Sequence, residues 1–256
     1  MHIQENIFDE SLIKLRQRRA EVQGFVSFLH DQVILDLNER LSQQKQEFYN
    51  VEIIGPFAEY WRDKLPYKKC CIHEDQNMLP FKLNSKDLIV SALYLHSVND
   101  PIARLVQMRK GLQRNGILFA YAFGEHSLYE LRKSFEYAEL KAFGRSSPRV
   151  SPMADTPTFG GLLRRAGFQY CVSDKLNYSV DYADPMDLLR DLRGMGETNA
   201  MIERSRRFLP KGVLLDAMDH YKRNFKKVNL KSKYQATFDI VCLTGWNSKP
   251  GGVEMT

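Results

Sequence analysis

The 256-residue sequence contains few cysteines, and none has the spacing of a metal site or a redox motif. Cys70, Cys71, Cys171 and Cys242 form no CxxC pair and have no Cys/His ligand pattern around them. This argues against a zinc-binding module. We expect all four thiols to be reduced and structural, which is typical of a protein in a reducing compartment.

Long apolar runs are also missing. No stretch approaches the roughly 18–20 apolar residues needed to span a bilayer. Residues 1–5 lack the basic-then-apolar pattern of a secretion signal. Because 43% of the residues are hydrophobic and 27% are charged, we expect a folded globular chain. The cytoplasm is its expected location.

Acidic residues are scarce near the C-terminal end. Residues 201–256 contain 11 Lys or Arg against 5 Asp or Glu, and this difference equals the net charge of +6 of the whole chain. The basic run from Lys222 to Lys233 is suited to phosphate backbones or acidic protein surfaces, or it is a solvated helix end. Because no aromatic stacking pattern accompanies it, we do not expect nucleic-acid binding.

Apolar spacing alternates between the helical and the strand period along the chain. Residues 9–44 have the three- and four-residue spacing of helices, with Asp9 or Ser11 as a cap and Gly24 as a break. Strands are predicted at 51–54, 69–72, 88–93, 117–123, 169–174 and 237–243, and helices at 128–143, 158–166, 184–192 and 209–224. A further helix opens at Pro101, with Asn99 or Asp100 as its cap, and Asn115-Gly116 is expected to end it. This order favours a mostly parallel sheet covered on both faces.

Several ordered blocks carry a family resemblance. Leu79-Pro80-Phe81, the strand that starts at Asp87-Leu88 and the turn at Gly116 resemble class I S-adenosylmethionine methyltransferases. Further blocks lie at 7–20, 127–132, 147–152, 163–168, 191–199, 237–238 and 245–246. Together they look like the methyltransferase-like family of the mitochondrial complex I assembly factor that modifies an arginine of a complex I subunit, and most like its alphaproteobacterial relatives.

The resemblance implies an α/β, Rossmann-like class I methyltransferase fold with a mostly parallel sheet and a truncated N-terminal half. We expect a helical extension over residues 1–48, a methyltransferase-like domain over 49–247 and a flexible tail over 248–256. It also implies S-adenosylmethionine as cofactor and a protein partner, such as a complex I subunit.

The cofactor turn departs from the family pattern. In this family the first strand ends in an acid-x-Gly-x-Gly turn, whose glycines let the backbone approach the ligand. Here Gly55 is followed by Pro56, which has no N–H donor, and by the bulky Phe57. The cofactor-binding candidates that the resemblance leaves are Glu52, Gly55, Asp75 and Ser91.

The spacing before Leu79 is also short. The 28 positions from Val51 to Leu79 have room for one crossover of about 30 residues, where the family has two. We therefore expect the strand at 69–72 to match the outer strand of the family. The strand between it and the first one, with the acid that binds the ribose hydroxyls, would then be missing.

Catalytic candidates follow the strand at 88–93. The resemblance places Tyr94 and His96 beside the reacting methyl group, with His96 a base, a packed or hydrogen-bonded histidine, or a positioning residue. Glu125, Glu130 and Arg132 are weaker candidates.

The His73-Glu74-Asp75 run is not expected to bind a metal, since adjacent residues rarely converge on one ion. Two other segments have two open interpretations each. The Gly194–Asn199 loop is either a structural turn or a lip over a substrate site, and the basic run 14–19 is either a solvated face or a docking face.

Three functions therefore compete. The first is a protein-modifying enzyme that methylates a side chain or hydroxylates an arginine. The second is a pseudoenzyme that keeps the fold as an assembly factor, in which Pro56, Phe57 or nearby side chains fill the cofactor cavity. The third, binding of nucleic acid through residues 222–233, predicts a steep salt dependence.

Overall fold

The computed structural model describes residues 6–67, 70–73, 78–80, 82–227 and 233–247. The expected alternation of helices and strands is confirmed there. The α-helices are α1 (Glu10–Gln23), α2 (Phe28–Ser42), α3 (Ala58–Lys64), α4 (Pro101–Gly111), α5 (Tyr129–Phe143), α6 (Thr156–Arg165), α7 (Pro185–Gly194) and α8 (Lys211–Asn224). The strands are β1 (Val51–Ile54), β2 (Cys70–His73), β3 (Lys86–Ser91), β4 (Leu112–Phe123), β5 (Tyr170–Tyr182) and β6 (Tyr234–Trp246).

The chain divides into two compact units. One consists of Met1–Val26, Glu125–Met153 and Asn177–Asp239, and the other of Ser27–Gly124, Ala154–Leu176 and Ile240–Thr256. The division at residues 48 and 247 stays a prediction, and the tail at 248–256 lies outside the described residues.

The strands form a six-stranded sheet in the order β2-β1-β3-β4-β6-β5. β1 pairs in parallel with β2 and β3, β3 pairs in parallel with β4, and β4 pairs antiparallel with β6. In this register Ile54 lies opposite both His73 and Ser91, so the carboxyl ends of three strands meet at one edge. The mostly parallel α/β fold is confirmed.

β2 lies directly beside β1, and all four residues of each strand are paired. The single crossover between them holds α3, a helix of seven residues. This agrees with the expected room for one crossover before Leu79. Which strand of the family β2 matches stays a prediction.

Local signals placed most helix starts correctly. Asp9 caps α1 by accepting from the Leu12 N–H at 3.0 Å, and Asp100 caps α4 by accepting from the Ala103 N–H at 2.8 Å. The expected end of α4 at Asn115-Gly116 is wrong, because the helix ends at Gly111 and β4 begins at once. Gly116 lies within β4 instead, where a Cβ would come 3.0 Å from the Lys86 carbonyl oxygen.

One face of the sheet carries a core built with α4 and α6. Its fully buried members include Ile89, Leu105, Leu118, Leu163 and Leu243. Each such side chain contributes about 1.5–3 kcal/mol relative to exposure. In the described part of the chain, no helix has both the length and the apolar character needed to cross a membrane.

Candidate functional site

The candidate site lies at the carboxyl ends of β1 and β3, the edge at which open α/β sheets bind ligands. Two backbone bonds hold this edge together. The Gly55 N–H donates to the His73 carbonyl at 3.0 Å, and the Ala92 N–H donates to the Ile54 carbonyl at 2.8 Å. The residues after β1 and β3 are therefore held in fixed positions beside each other.

The turn after β1 has an unusual backbone. Gly55 has a φ of +133°, and Phe57 has a φ of 56°, in the left-handed region that bulky residues rarely adopt. The Phe57 carbonyl accepts from the Trp61 N–H at 3.2 Å and so begins α3. The Phe57 side chain is buried, with its ring edge-on to His30 at a centroid distance of 5.5 Å.

The ring of Tyr94 occupies the space beside Gly55. A Cβ at Gly55 would lie 2.6 Å from Tyr94 Cδ1, so only glycine fits against this ring. Tyr94 is 2% exposed, and its carbonyl accepts from both the N–H and the hydroxyl of Ser97, at 3.0 and 2.9 Å. Gly55 thus serves the packing of the chain's own tyrosine.

A buried histidine from α2 completes this cluster. His30 Nδ1 accepts a hydrogen bond from the indole N–H of Trp61 at 2.9 Å. Burial, with a smaller contribution from His96, lowers the pKa of His30 to about 3, so this imidazole is neutral at ordinary pH. Sequence analysis missed His30; the signal was a histidine within the apolar stripe of Leu29 and Val33.

His96 is also buried. Its Nδ1 accepts from the Phe123 backbone N–H at 3.3 Å, and its ring lies 4.7 Å from that of Phe123. Because Nδ1 is an acceptor, the ring proton is on Nε2. The contacts correspond to the packed-histidine interpretation, and a catalytic role for His96 or Tyr94 stays a prediction.

Glu52 is fully buried and lies against a lysine and a histidine of the chain itself. One carboxylate oxygen lies 2.5 Å from Lys86 Nζ and the other 2.9 Å from His73 Nε2. Burial lowers the pKa of Lys86, but the hydrogen bond and charge of Glu52 outweigh it, and the net shift is upward. These contacts favour a structural role, since removing one partner of a buried pair costs about 3–5 kcal/mol.

The remaining cofactor candidates are Ser91 and Asp75. The Ser91 hydroxyl is buried and has no hydrogen-bond partner among the described residues. Such an unmet group costs about 1–3 kcal/mol. Asp75 lies outside the described residues.

The weaker candidates have structural partners. Glu130 accepts from the backbone N–H and the hydroxyl of Thr237, at 3.1 and 2.6 Å, and Arg132 donates to the Ser151 carbonyl at 3.5 Å. Glu125 lies 3.2 Å from His126 Nδ1. Sequence analysis did not foresee that His126 also lies 3.4 Å from the buried carboxylate of Asp239.

The glycines of the 194–199 loop allow close packing against the N-terminal segment. A Cβ at Gly194 would lie 2.5 Å from Val26 Cγ2, and one at Gly196 would lie 3.2 Å from Gln17 Cα. The Val26 N–H also donates to the Gly194 carbonyl at 3.1 Å. These contacts favour the structural interpretation of this loop.

Comparison with known proteins identifies the family. A family model described as a methyltransferase domain matches residues 35–120. The arginine-hydroxylase NDUFAF5 of Danio rerio, a mitochondrial protein, is 35% identical over 176 residues, which are 69% of this chain and 54% of that protein. The resemblance to methyltransferase-like proteins that the sequence predicted is confirmed.

Two further relatives extend this result. The RP459 protein of Rickettsia prowazekii is 32% identical over 149 residues, 58% of this chain and 66% of that protein. The structure of the YcgJ protein of Bacillus subtilis aligns with a TM-score of 0.52 at 11% identity, covering 86% of this chain and 100% of that one, which supports the fold alone. This methyltransferase-like protein spans about half the length of the NDUFAF5 relatives it matches.

The residues at the expected cofactor position do not fit S-adenosylmethionine as they are arranged. The backbone at Gly55 is covered by the Tyr94 ring, and Phe57 is buried in the turn. The family's glycine-rich turn instead keeps the backbone accessible to the ligand. A ligand could approach Gly55 only if Tyr94 moved.

Proposed function

We propose that this methyltransferase-like protein modifies an arginine side chain of a protein during the assembly of respiratory complex I. The observation that carries the proposal is the 35% identity, over 69% of the chain, to a protein named as an arginine-hydroxylase. Both the activity and the protein substrate are therefore proposals for this chain. S-adenosylmethionine is the family's cofactor, and its use here requires the Tyr94 ring to leave Gly55.

A second candidate function is supported by the turn after β1, where side chains of the chain itself occupy the expected cofactor position. Tyr94 and Phe57 lie where the cofactor would approach, and Glu52 is paired within the chain. A protein that keeps the fold and fills this position with its own side chains would act through its surface, as an assembly factor for complex I.

Calorimetry with S-adenosylmethionine and S-adenosylhomocysteine separates these candidates at the level of binding. Under the first, the wild-type chain binds with micromolar affinity and Gly55→Ala, which wedges a methyl group against Tyr94, abolishes binding. Under the second, the wild-type chain gives no heat, and Tyr94→Ala gains binding because it vacates the space beside Gly55. Tyr94→Phe is the matched control, since it keeps the ring and removes only the hydroxyl.

Mass spectrometry of a purified complex I subunit after incubation with the protein tests the reaction. A gain of one oxygen atom on an arginine, in the presence of dioxygen and a reductant, would establish hydroxylation. A gain of a methyl group, with S-adenosylmethionine present, would establish methylation. An unmodified subunit under both conditions would contradict the first candidate and leave the assembly role.

We also propose a reducing location such as the cytoplasm. All four cysteines are free, which supports this location. Cell fractionation with an antibody against the chain tests it, and recovery from an oxidising compartment would contradict it.

A further inference from the structure

The N-terminal segment and the loop after α7 pair with each other as short antiparallel strands. The Asp9 N–H donates to the Ala200 carbonyl and the Ile202 N–H donates to the Ile7 carbonyl, each at 2.9 Å. Phe8 and Met201 form the bridge between these two bonds. This pairing fixes the start of α1 against the segment that carries Arg204.

Arg204 is firmly held at this junction. One of its terminal nitrogens, Nη1, donates to the Met201 carbonyl at 2.6 Å. The other, Nη2, lies 3.5 Å from the Asp9 carboxylate. The guanidinium is therefore positioned before any partner arrives, which lowers the entropic cost of binding.

Arg16 lies on α1 close to Arg204, and Arg19 is three residues further along the same helix face. Nη1 of Arg16 is buried and has no hydrogen-bond partner among the described residues. Burial lowers the pKa of Arg16, and the charges of Arg204 and Arg19 lower it further, with only Asp9 opposing. Among the described residues, Arg16 and Arg204 thus share the carboxylate of Asp9, and the partly buried guanidinium of Arg16 lies beside two like charges.

A bound carboxylate would satisfy this arrangement. Guanidinium groups present planar forks of donors that match the two oxygens of a carboxylate, and such charge-assisted bonds are about twice as strong as neutral ones. Because Nη1 of Arg16 is buried, a carboxylate from a partner would bind the other nitrogens of this half-buried guanidinium. The cluster therefore resembles a binding site more than a fold-stabilising contact.

Exposed apolar side chains border the cluster along the chain. Leu15 and Val22 on α1 are 44% and 82% exposed, and Phe208, four residues after Arg204, is 100% exposed. Arg206 and Arg207 precede Phe208. A basic surface mixed with apolar side chains matches a protein segment that carries both acidic and apolar residues, rather than a free ion.

We propose that Arg16 and Arg204 form a carboxylate-binding site for an acidic segment of a partner protein, with Arg19 adding attraction. The proposal deepens the proposed function and rests on it only in taking a protein as the ligand. It gives the basic run 14–19 of α1 the docking role that the sequence left open.

The test is fluorescence anisotropy of a labelled peptide of alternating glutamate and leucine, titrated with the full chain. We expect saturable binding that weakens with salt and is lost when the glutamates are replaced by glutamine. Arg16→Gln should weaken it on the order of tenfold or more. The matched control is Arg190→Gln, which removes the same charge from an exposed ion pair with Asp187 and should leave binding unchanged.

A thermal melt without peptide separates binding from folding. Arg16→Gln should melt no lower than the wild-type chain, because it removes a charge that two neighbouring arginines repel. The proposal is overturned if Arg16→Gln lowers the melting temperature markedly, if Arg190→Gln weakens binding equally, or if the peptide does not bind. Binding of anionic phospholipid vesicles but not of the peptide would also overturn it, in favour of a membrane ligand.

These measurements are independent of catalysis. The peptide assay needs neither S-adenosylmethionine nor a modified arginine, so its failure leaves the proposed function standing. An unmodified complex I subunit, conversely, leaves the acidic peptide assay unaffected.

Discussion

The turn at Gly55 and the arginine cluster around Arg16 differ in how far the chain satisfies its own groups. At Gly55, Tyr94 fills the space beside the backbone and Trp61 donates to the neutral His30. At Arg16, a buried donor has no partner among the described residues and two further arginines lie nearby. At the position of the family motif, the chain's own tyrosine covers the backbone. On α1, by contrast, the buried Nη1 of Arg16 has no hydrogen-bond partner among the described residues.

The difference shows that the position of a motif in the fold does not by itself determine whether a ligand can bind at that position. The carboxyl ends of β1 and β3 meet as the fold requires. Whether a ligand fits there depends on side chains such as Tyr94 that no glycine pattern describes. If the comparison is right, substitutions near Gly55 should cost stability, while charge removal near Arg16 should cost none.

The largest effect is expected for Tyr94→Ala. Removing a fully buried aromatic side chain leaves a cavity, so the free energy of unfolding should fall by about 3–5 kcal/mol. Tyr94→Phe, which keeps the ring and leaves no large cavity, should change it by less than about 1.5 kcal/mol. Urea unfolding measures both, and a near-neutral Tyr94→Ala would show that the ring does not support the turn.

The next effect is a pH dependence that His30 imposes. Its pKa is lowered from 6.5 to about 3, so between these values the unfolded chain binds a proton that the folded chain does not. Stability should therefore decrease as the pH falls below about 6.5, by at most about 1.4 kcal/mol per pH unit, and recover as the pH rises. In His30→Asn, which keeps an acceptor for Trp61, this slope should be smaller between about pH 5 and 6.5. Equal slopes in the two proteins would contradict the assignment.

A smaller loss is expected for Gly55→Ala. The new methyl group would meet the Tyr94 ring, and the φ of +133° is unfavourable for alanine, so we expect a loss of about 1–3 kcal/mol. Gly161→Ala is the control, because that glycine lies within α6 and has open space around it. It should gain about 0.5–1 kcal/mol. Thermal melts of the two variants should shift in opposite directions, and parallel shifts would disprove the close packing at Gly55.

The smallest effect is expected for Arg19→Gln. Because this arginine adds to the positive charge beside Arg16, its removal should raise stability by at most a few tenths of a kcal/mol. The gain should be larger at low ionic strength, where charges are less screened. A loss of stability that persists at low salt would mean that Arg19 makes a favourable contact. The arginine cluster would then resemble the Gly55 region, because its groups would also have partners within the chain.

Local features of this fold were predictable from the sequence because they depend on neighbouring residues. The cap at Asp9, the break at Gly24 and the first-turn Pro101 with its cap Asp100 are of this kind. The pairing of β2 with β1 was not, since strand order depends on how the chain crosses over. The end of α4 was missed because Asn115-Gly116 resembles a helix stop but serves close packing within β4.

The sequence predicted where the candidate site lies in the sheet, but not which side chains occupy it. The family resemblance placed Gly55, Ser91, Tyr94 and His96 near one edge of the sheet. The register shows that Ser91, the last residue of β3, pairs with Ile54, which directly precedes Gly55. The side chains that fill this edge could not be predicted, because they depend on the orientation of the Tyr94 ring and on His30, which comes from α2. The approach of Arg204 to Arg16 joins distant parts of the sequence and has no local signature.

The hydrogen bond from Trp61 to His30 has a consequence for how this chain can be divided. α2 lies within the predicted helical extension over residues 1–48, yet it supplies the acceptor for a buried indole and one side of the packing around Phe57. A chain shortened to begin at residue 49 would keep every strand of the sheet and lose both contacts. α2 therefore belongs to the wall of the candidate site, and a shortened chain that keeps these contacts must include it.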